Sequence, residues 1–213
     1  MADFTYRALT LDTYFDKILY INLDKDVSRN ESMLALFKRF GITNFERVPG
    51  VVQHTLPEKS SYRNFIKSDI KYLLGQLGCR SAHLNCVRLA KERGYRRVLI
   101  FEDDIDFLQD PHELLSRNQE ILNDWDLLYF GGIVEPFFRN QIVCLHAYAV
   151  DSKMFDDVIN MAEPSGMEMD NFYAKVLQHM SYNYNQSGKY NVRIALQFNQ
   201  IVQKKDFASN IQS

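Results

Sequence analysis

The chain is poor in the residues that staple or punctuate small folds. Among 213 residues there are three cysteines, five prolines and nine glycines. An odd count at Cys79, Cys86 and Cys144, with no C-x-x-C pair, is neither a disulfide framework nor a zinc-ribbon spacing. The three read as buried thiols in a reducing compartment. No apolar run approaches the ~18–20 residues that would span a bilayer. The start, Met1-Ala2-Asp3-Phe4-Thr5-Tyr6-Arg7, lacks the charged-then-apolar layout of a signal peptide. A cytoplasmic protein without a membrane span is the expectation. A strong basic balance is missing too: the formal net charge is −2 and the pI about 6.2, which argues against a nucleic-acid partner. Finally, neither G-x-G-x-x-G nor G-x-x-x-x-G-K-[ST] occurs, so no glycine-rich loop is on hand to cradle a phosphate.

What is present is a chain that is 46% hydrophobic, enough to bury a core as one domain over residues 1–213. Strands and helices alternate. Residues 17–23 read as the first core strand. A helix follows, opened by a Ser28/Glu31 capping box, striped by Met33, Leu34, Phe37 and Phe40, and closed by Gly41. A short strand at 45–48 precedes an irregular stretch, 50–77, read as a loop or a helix-containing insertion. A helix is expected over 81–93, with Ser81 as N-cap and Leu84, Val87 and Ala90 facing inward. Asp110-Pro111-His112-Glu113 opens another helix, carried on by Leu114, Leu115, Ile121 and Leu122. Later strands are expected at 126–130 (broken by Gly131-Gly132), 142–150 and 192–196. Helices fall at 152–161 and 170–180, a polar turn at 182–188, and a polar tail closes the chain. The alternation calls for an α/β sandwich with a mostly parallel sheet.

The most informative stretch is Arg97-Val98-Leu99-Ile100-Phe101-Glu102-Asp103-Asp104-Ile105-Asp106. Its continuous apolar run suits a strand buried on both faces, and the strand runs directly into carboxylates. If the chain stays extended, Glu102 and Asp104 share one face, with Asp106 joining by the same alternation. Ligands of open α/β sheets sit outside the carboxyl ends of the strands. Clustered acids there need a positive partner. Carboxylates bind a diphosphate only through a divalent cation, and an oxygen-ligand set favours Mg²⁺, Mn²⁺ or Ca²⁺ over zinc. The plainer alternative is a solvated acidic loop.

Several segments, in order, resemble glycosyltransferase family 25, the lipooligosaccharide and collagen galactosyltransferase family. They are Tyr20-Ile21-Asn22-Leu23-Asp24 with Arg29, Phe45-Glu46-Arg47-Val48-Pro49-Gly50, Gly75-x-x-Gly78-Cys79-Arg80-Ser81-Ala82-His83, residues 97–104, and Asp126-Leu127-Leu128-Tyr129-Phe130-Gly131-Gly132. His146-Ala147-Tyr148-Ala149-Val150 and the tail Gln203 … Ser209-Asn210-Ile211 are similar as well. The resemblance covers residues 17–213. It implies a GT-A-type, Rossmann-like fold, a UDP-sugar donor (UDP-galactose or UDP-glucose), a divalent metal such as Mn²⁺ or Mg²⁺, and inversion at the anomeric carbon.

Carried over by position, Glu102 and Asp104 become metal ligands, with Asp106 and His146 as further candidates. Asn22, Leu23, Asp24, Arg29, Ser81, His83 and Asp103 become candidates for binding the nucleotide sugar. An inverting transfer needs a base for the acceptor hydroxyl of a glycan or glycosylated protein. Asp170 is the first candidate, followed by Glu168 and then Glu135. Asp170 serves equally well as an N-cap, and Ser81 as a cap rather than a substrate contact. The tail carries Ser209-Asn210-Ile211 where the family usually has Ser-Asp-Ile, so a charge is missing there. Two other readings compete: a metal-dependent phosphohydrolase or nucleotidyltransferase, and a catalytically silent glycan-binding module.

Overall fold

The computed structural model describes residues 9–65, 69–135, 141–178, 190–194 and 200–204. One six-stranded sheet runs through it in the order β2-β1-β3-β6-β5-β7. Its strands are β1 (Lys17–Asn22), β2 (Phe45–Pro49), β3 (Arg97–Glu102), β5 (Leu127–Glu135), β6 (Gln141–Asp151) and β7 (Val192–Ile194). The pairs β1–β2, β1–β3 and β5–β7 are parallel, whereas β6 runs antiparallel to both β3 and β5. The sheet is therefore mixed and mostly parallel, with one reversed strand inserted beside the central one. A second ribbon pairs β4 (Ile105–Phe107) antiparallel with β8 (Ile201–Gln203).

Helices cover both faces. On one side α3 (Ile70–Glu92), α5 (Phe155–Ser165) and α6 (Met169–Phe172) pack over Leu19, Val98, Ile100, Tyr148 and Val150. On the other, α1 (Leu11–Tyr14), α2 (Val27–Arg39) and α4 (Pro111–Arg117) cover Ile18, Tyr20, Leu99, Phe101 and Ala149. The alternate residues of β3 thus feed two different cores, Val98 and Ile100 one and Leu99 and Phe101 the other. That is why its apolar run is unbroken: a strand with no wet face has no place for a polar residue until it leaves the sheet.

Local chemistry sets most boundaries. Asp110 caps α4 through His112 N (2.8 Å), with Pro111 at the first helical position. Gly41, at φ +64°, follows α2 in the left-handed conformation that a side chain disfavours.

Five expectations are corrected. The Ser28/Glu31 box does not form: Asp26 stands at the cap of α2 without a side-chain cap bond, and Ser28 lies inside the helix. Leu34 is exposed, and the buried stripe is Met33, Leu36 and Phe37 with Arg29. The long helix begins at Ile70 rather than Ser81, capped by Asp69 through Lys71 N and Tyr72 N. The stretch 50–77 is thus partly helical, and a 3₁₀ turn, Lys59–Tyr62, adds to it. The glycine pair does not break β5, which runs through Gly131 and Gly132 with register shifts on either side of Gly131. The tail, read as polar, supplies β8. The turn at 182–188 and the segment 209–211 lie outside the described residues.

Gly131 is where strand pairing and close approach meet. A Cβ there would lie 2.3 Å from His146 Nε2 and 2.4 Å from the backbone oxygen of Ile201. Because one obstacle is backbone, the clash cannot be relieved by a rotamer change. Gly131→Ala is expected to destabilise the protein by about 1–3 kcal/mol. A urea midpoint equal to that of the parent would refute this close packing of β5, β6 and β8.

Candidate functional site

At the carboxyl end of β3 the chain turns, and the three acids diverge instead of alternating along an extended strand. Asp103 points inward and is 6% exposed. Its carboxylate accepts from Asn22 Nδ2 (2.7 Å) and Arg29 Nη1 (2.8 Å). Asn22, last in β1, also donates to the backbone oxygen of Asp26 (3.1 Å) and accepts from Arg47 Nε (2.9 Å). Arg47 in turn reaches the backbone oxygen of Asn22 and the exposed carboxylate of Asp24. Four of the residues expected around a nucleotide (Asn22, Asp24, Arg29 and Asp103) are thus one polar network joining β1, β2, α2 and β3. Leu23 is half-buried, and its side chain lies 2.8 Å from where a Cβ on Gly50 would stand. Burial pushes the Asp103 carboxyl up, against the pull of its bonds to Arg29 and Asn22.

Asp104 is differently placed. Its Oδ2 lies 3.6 Å from Arg29 Nη1, while Oδ1 is buried with no hydrogen-bond partner among the described residues. Burial, then repulsion from Glu102, pushes its carboxyl up to about 7, with Arg29 opposing. Glu102 is held on both oxygens, by His83 Nε2 at 3.4 Å and by Gln203 Nε2 at 2.9 Å. Burial raises its pKa, but the bond and charge of His83, the charge of His146 and the Gln203 bond outweigh it and hold the carboxyl below its ordinary value.

Two histidines face these acids. His83, buried on α3, places Nδ1 2.9 Å from Tyr148 Oη. Burial holds the Tyr148 phenol well above its usual range, so the hydroxyl keeps its proton, and the other ring nitrogen, Nε2, faces Glu102. His146 lies on β6; the register Phe101↔Ala147 sets it beside Glu102. Its Nε2 donates to Ile201 O (3.0 Å), so the lone pair is on Nδ1, which is buried and has no partner among the described residues. Burial pushes this imidazole's pKa down. An unpartnered carboxylate oxygen on Asp104 and an unpartnered imidazole nitrogen on His146, both near Glu102, are groups that a divalent cation would satisfy.

Asp106 stands apart from this group. The turn at Asp103–Asp104 breaks the strand alternation, so in β4 Ile105 and Phe107 are buried, and Asp106 Oδ1 accepts from Phe107 N (2.9 Å). Ser81 is corrected more sharply. It lies in the middle of α3, donates to Leu77 O (2.9 Å), and lines a cavity of about 450 Å³ with Arg80, Ser60 and Arg63. Being two residues from both Cys79 and His83, it sits on the opposite side of the helix from them.

The two candidate bases lie at α6. Glu168 is buried, with its oxygens bonded by Gln76 Nε2 and Asn171 Nδ2 at 3.1 Å each. Asp170 is not the N-cap, a position that Glu168 occupies without a side-chain cap bond; it lies within the first turn. Its Oδ1 accepts from Asn171 N (2.7 Å) and its Oδ2 from Cys144 N (3.5 Å). Burial pushes the Asp170 carboxyl up, its two backbone bonds oppose this, and Glu168 and Glu102 add to the rise. The side chain of Glu135 is outside the described residues. Cys144 has φ +64°, a conformation that costs a β-strand cysteine roughly 1–2 kcal/mol. The strain sits where its N–H meets the Asp170 carboxylate, a pattern typical of functional sites.

Sequence reasoning placed Gln203, Arg47, Tyr148 and Cys79 in the family-like segments without making them candidate site residues. Gln203 and Arg47 carried no local signal, since each reaches the site across a strand pairing. Cys79 did: with His83 it is an i, i+4 pair on one helix face.

The Arg29–Asp103 pair has both side chains 8% exposed. Removing one member of such a pair leaves a buried charge uncompensated, so Arg29→Met is expected to cost about 3–5 kcal/mol. The check is equilibrium denaturation at neutral pH, where a loss under 1 kcal/mol would show that the network does not hold the sheet end together.

A family model described as glycosyltransferase family 25 (LPS biosynthesis protein) matches residues 15–210. A Homo sapiens protein named inactive glycosyltransferase 25 family member 3 is 30% identical over 131 residues, 55% of this chain and 22% of that protein. A Drosophila melanogaster glycosyltransferase 25 family member is 29% identical over 154 residues, 62% of this chain and 24% of its own length. The chain therefore spans about a quarter of the length of these relatives. Among solved structures, a glycosyltransferase involved in glycosylation of the major capsid of PBCV-1 is similar with a TM-score of 0.40 and 10% identity, over 84% of this chain and 79% of that one. No described helix is long and apolar enough to cross a membrane. With the family pattern matched over nearly its whole length, the chain belongs to glycosyltransferase family 25.

Proposed function

We propose that this chain is a GT-A-type transferase domain that moves a hexose, galactose or glucose, from a UDP-sugar to a hydroxyl of a glycan or glycosylated protein, with inversion at the anomeric carbon. The observation that carries this reading is the uncompensated polar cluster at the end of β3. There Asp104 Oδ1 and His146 Nδ1 are buried without partners among the described residues. Family membership supplies the reaction class.

In this reading Glu102, Asp104 and His146 would hold a divalent cation after side-chain adjustment, because their ligand atoms do not all lie within 4.8 Å of one another in the structure. Oxygen ligands with one imidazole suit Mn²⁺ or Mg²⁺. Bound there, the cation supplies Lewis-acid neutralisation of the charge that develops on the leaving diphosphate. Arg29, already lying against Asp103 and Asp104, adds fixed positive charge on the same side. Asn22 and Asp103, locked to each other, present the ends of β1 and β3 as a rigid edge for the nucleoside. Asp170 takes the proton of the acceptor hydroxyl while that oxygen forms its bond to the anomeric carbon. The bond from that carbon to the phosphate oxygen breaks, and UDP leaves with the electron pair. The raised pKa of Asp170 suits this role, since a base is most useful when its pKa lies nearer the working pH.

One observation favours a second reading, a silent glycan-binding module. Glu102 and Asp103 are already fully engaged by His83, Gln203, Arg29 and Asn22, and the human relative carries "inactive" in its name. Measuring UDP release across a panel of UDP-sugars, with and without Mn²⁺ and acceptor, separates the two. The transferase reading expects Mn²⁺-dependent release. A phosphohydrolase or nucleotidyltransferase would instead release phosphate or pyrophosphate.

Two variants test the residue roles. Asp104→Ala is expected to abolish Mn²⁺-dependent UDP-sugar binding in calorimetry while the circular dichroism stays that of the parent; undiminished affinity would sink its assignment. Asp170→Asn is expected to leave donor binding near normal while turnover falls by about 10²–10⁴-fold. Parental turnover at saturating substrates would remove Asp170 as the base.

A further inference from the structure

Cys79 and His83 are four residues apart on α3, so their side chains share a face. The end of β3 brings Glu102 to that face. Cys79 Sγ, a ring nitrogen of His83 and a carboxylate oxygen of Glu102 all lie within 4.8 Å of one another, and no other such trio converges among the described residues. The His83–Glu102 separation is 3.4 Å.

Thiolate, imidazole and carboxylate together are a different donor set from that around Asp104. They are the ligands of Zn²⁺ and its borderline-soft neighbours, whereas Mn²⁺ and Mg²⁺ prefer oxygen. Around a tetrahedral zinc with bonds of about 2.0–2.3 Å, neighbouring ligand atoms stand roughly 3.3–3.8 Å apart. The trio needs only side-chain adjustments of about an ångström to reach that spacing.

The surrounding residues fit as well. A histidine bound through Nε2 carries its proton on Nδ1, which must find an acceptor. Tyr148 Oη, at 2.9 Å from Nδ1, is that acceptor once its own hydroxyl proton turns away. The second oxygen of Glu102 is anchored by Gln203. Cys79 and Glu102 are only half-buried.

We infer that Cys79, His83 and Glu102 form a three-ligand site for a Zn²⁺-class cation, adjoining Asp104 at the end of β3. Binding converts the Cys79 thiol to a thiolate and passes its proton to solvent. Because Glu102 belongs to both donor sets, zinc held here and Mn²⁺ used for transfer compete for its carboxylate; that consequence alone rests on the transferase reading.

The test is Co²⁺ titrated into the metal-free full chain. One equivalent is expected to produce a thiolate-to-cobalt charge-transfer band in the near ultraviolet, which added Zn²⁺ removes. Cys79→Ser should abolish the band and weaken Zn²⁺ binding by at least the ~10–100-fold typical of losing a supporting partner, whereas Asp104→Ala should keep both. In the unaltered chain, Zn²⁺ should slow iodoacetamide alkylation of Cys79, read by peptide mass, which leaves the test standing if the serine variant folds poorly. Absence of the band, its persistence in Cys79→Ser, or alkylation indifferent to Zn²⁺ would overturn the site. A chain that shows the band but releases no UDP keeps this site and loses the transferase reading. Mn²⁺-dependent UDP release without the band does the reverse.

Discussion

A buried carboxylate, Asp103, holds the ends of three elements together: Asn22 at the end of β1, Arg29 on the first turns of α2, and its own position just past β3. Each bond is short and charge-assisted, and Asn22 extends the network to Arg47 on β2. Parallel strands cannot be closed by tight hairpins, so their carboxyl ends need some other tie. Here the tie is polar, and it leaves a charge balance that governs its surroundings. Arg29 is committed mainly to Asp103, so Asp104 receives only a longer interaction at 3.6 Å. Burial, and repulsion from Glu102 that Arg29 only partly offsets, then push the Asp104 carboxyl upward.

The same arrangement gives three successive acids three different surroundings. Asp103 is locked by Asn22 and Arg29. Glu102 is held on the α3 side by His83, with Gln203 from β8 at its other oxygen. Asp104 keeps one buried oxygen without a partner among the described residues. Low local polarity makes unmet groups of this kind costly, and fold stability has been spent on keeping them together. The left-handed backbone at Cys144, whose N–H meets Asp170, is a second strained feature. The proposed chemistry uses both.

The sequence made the central strand legible because burial on both faces dictates an unbroken apolar run, and β3 shows one. It also made the strand-to-acid junction legible, along with the caps and stops that rest on side-chain-to-backbone bonds within a few residues, such as Asp110 before α4 and Gly41 after α2. It failed where a local signal had two uses. Ser81 looks like a cap but sits within a helix whose start is fixed by Asp69, twelve residues earlier. Ser28 and Glu31 have capping-box spacing, yet Arg29 must turn inward to Asp103, and the helix begins one residue before Ser28. Gly131 and Gly132 look like a strand break, but they are there so that β6 and β8 can approach the backbone of β5.

What the sequence by itself determined is therefore the alternation of elements, the two-faced central strand, and the placing of acids at its end, since each follows from burial period or from contacts a few residues apart. The family pattern, spread over short ordered segments, was also legible in it. Only the tertiary structure decided which acid does what. Asp103 and Asp104 are adjacent in sequence, and their difference comes from an arginine 74 residues away in sequence from Asp103. Asp106 drops out because the chain turns where extended geometry would have included it. Gln203 and the Ile201 carbonyl reach Glu102 and His146 through the pairing of β4 with β8, a contact across some hundred residues that a three-residue strand cannot announce. Cys79 and His83 share a helix face in the sequence alone, but the carboxylate that completes their trio arrives from β3, and that convergence belongs to the fold.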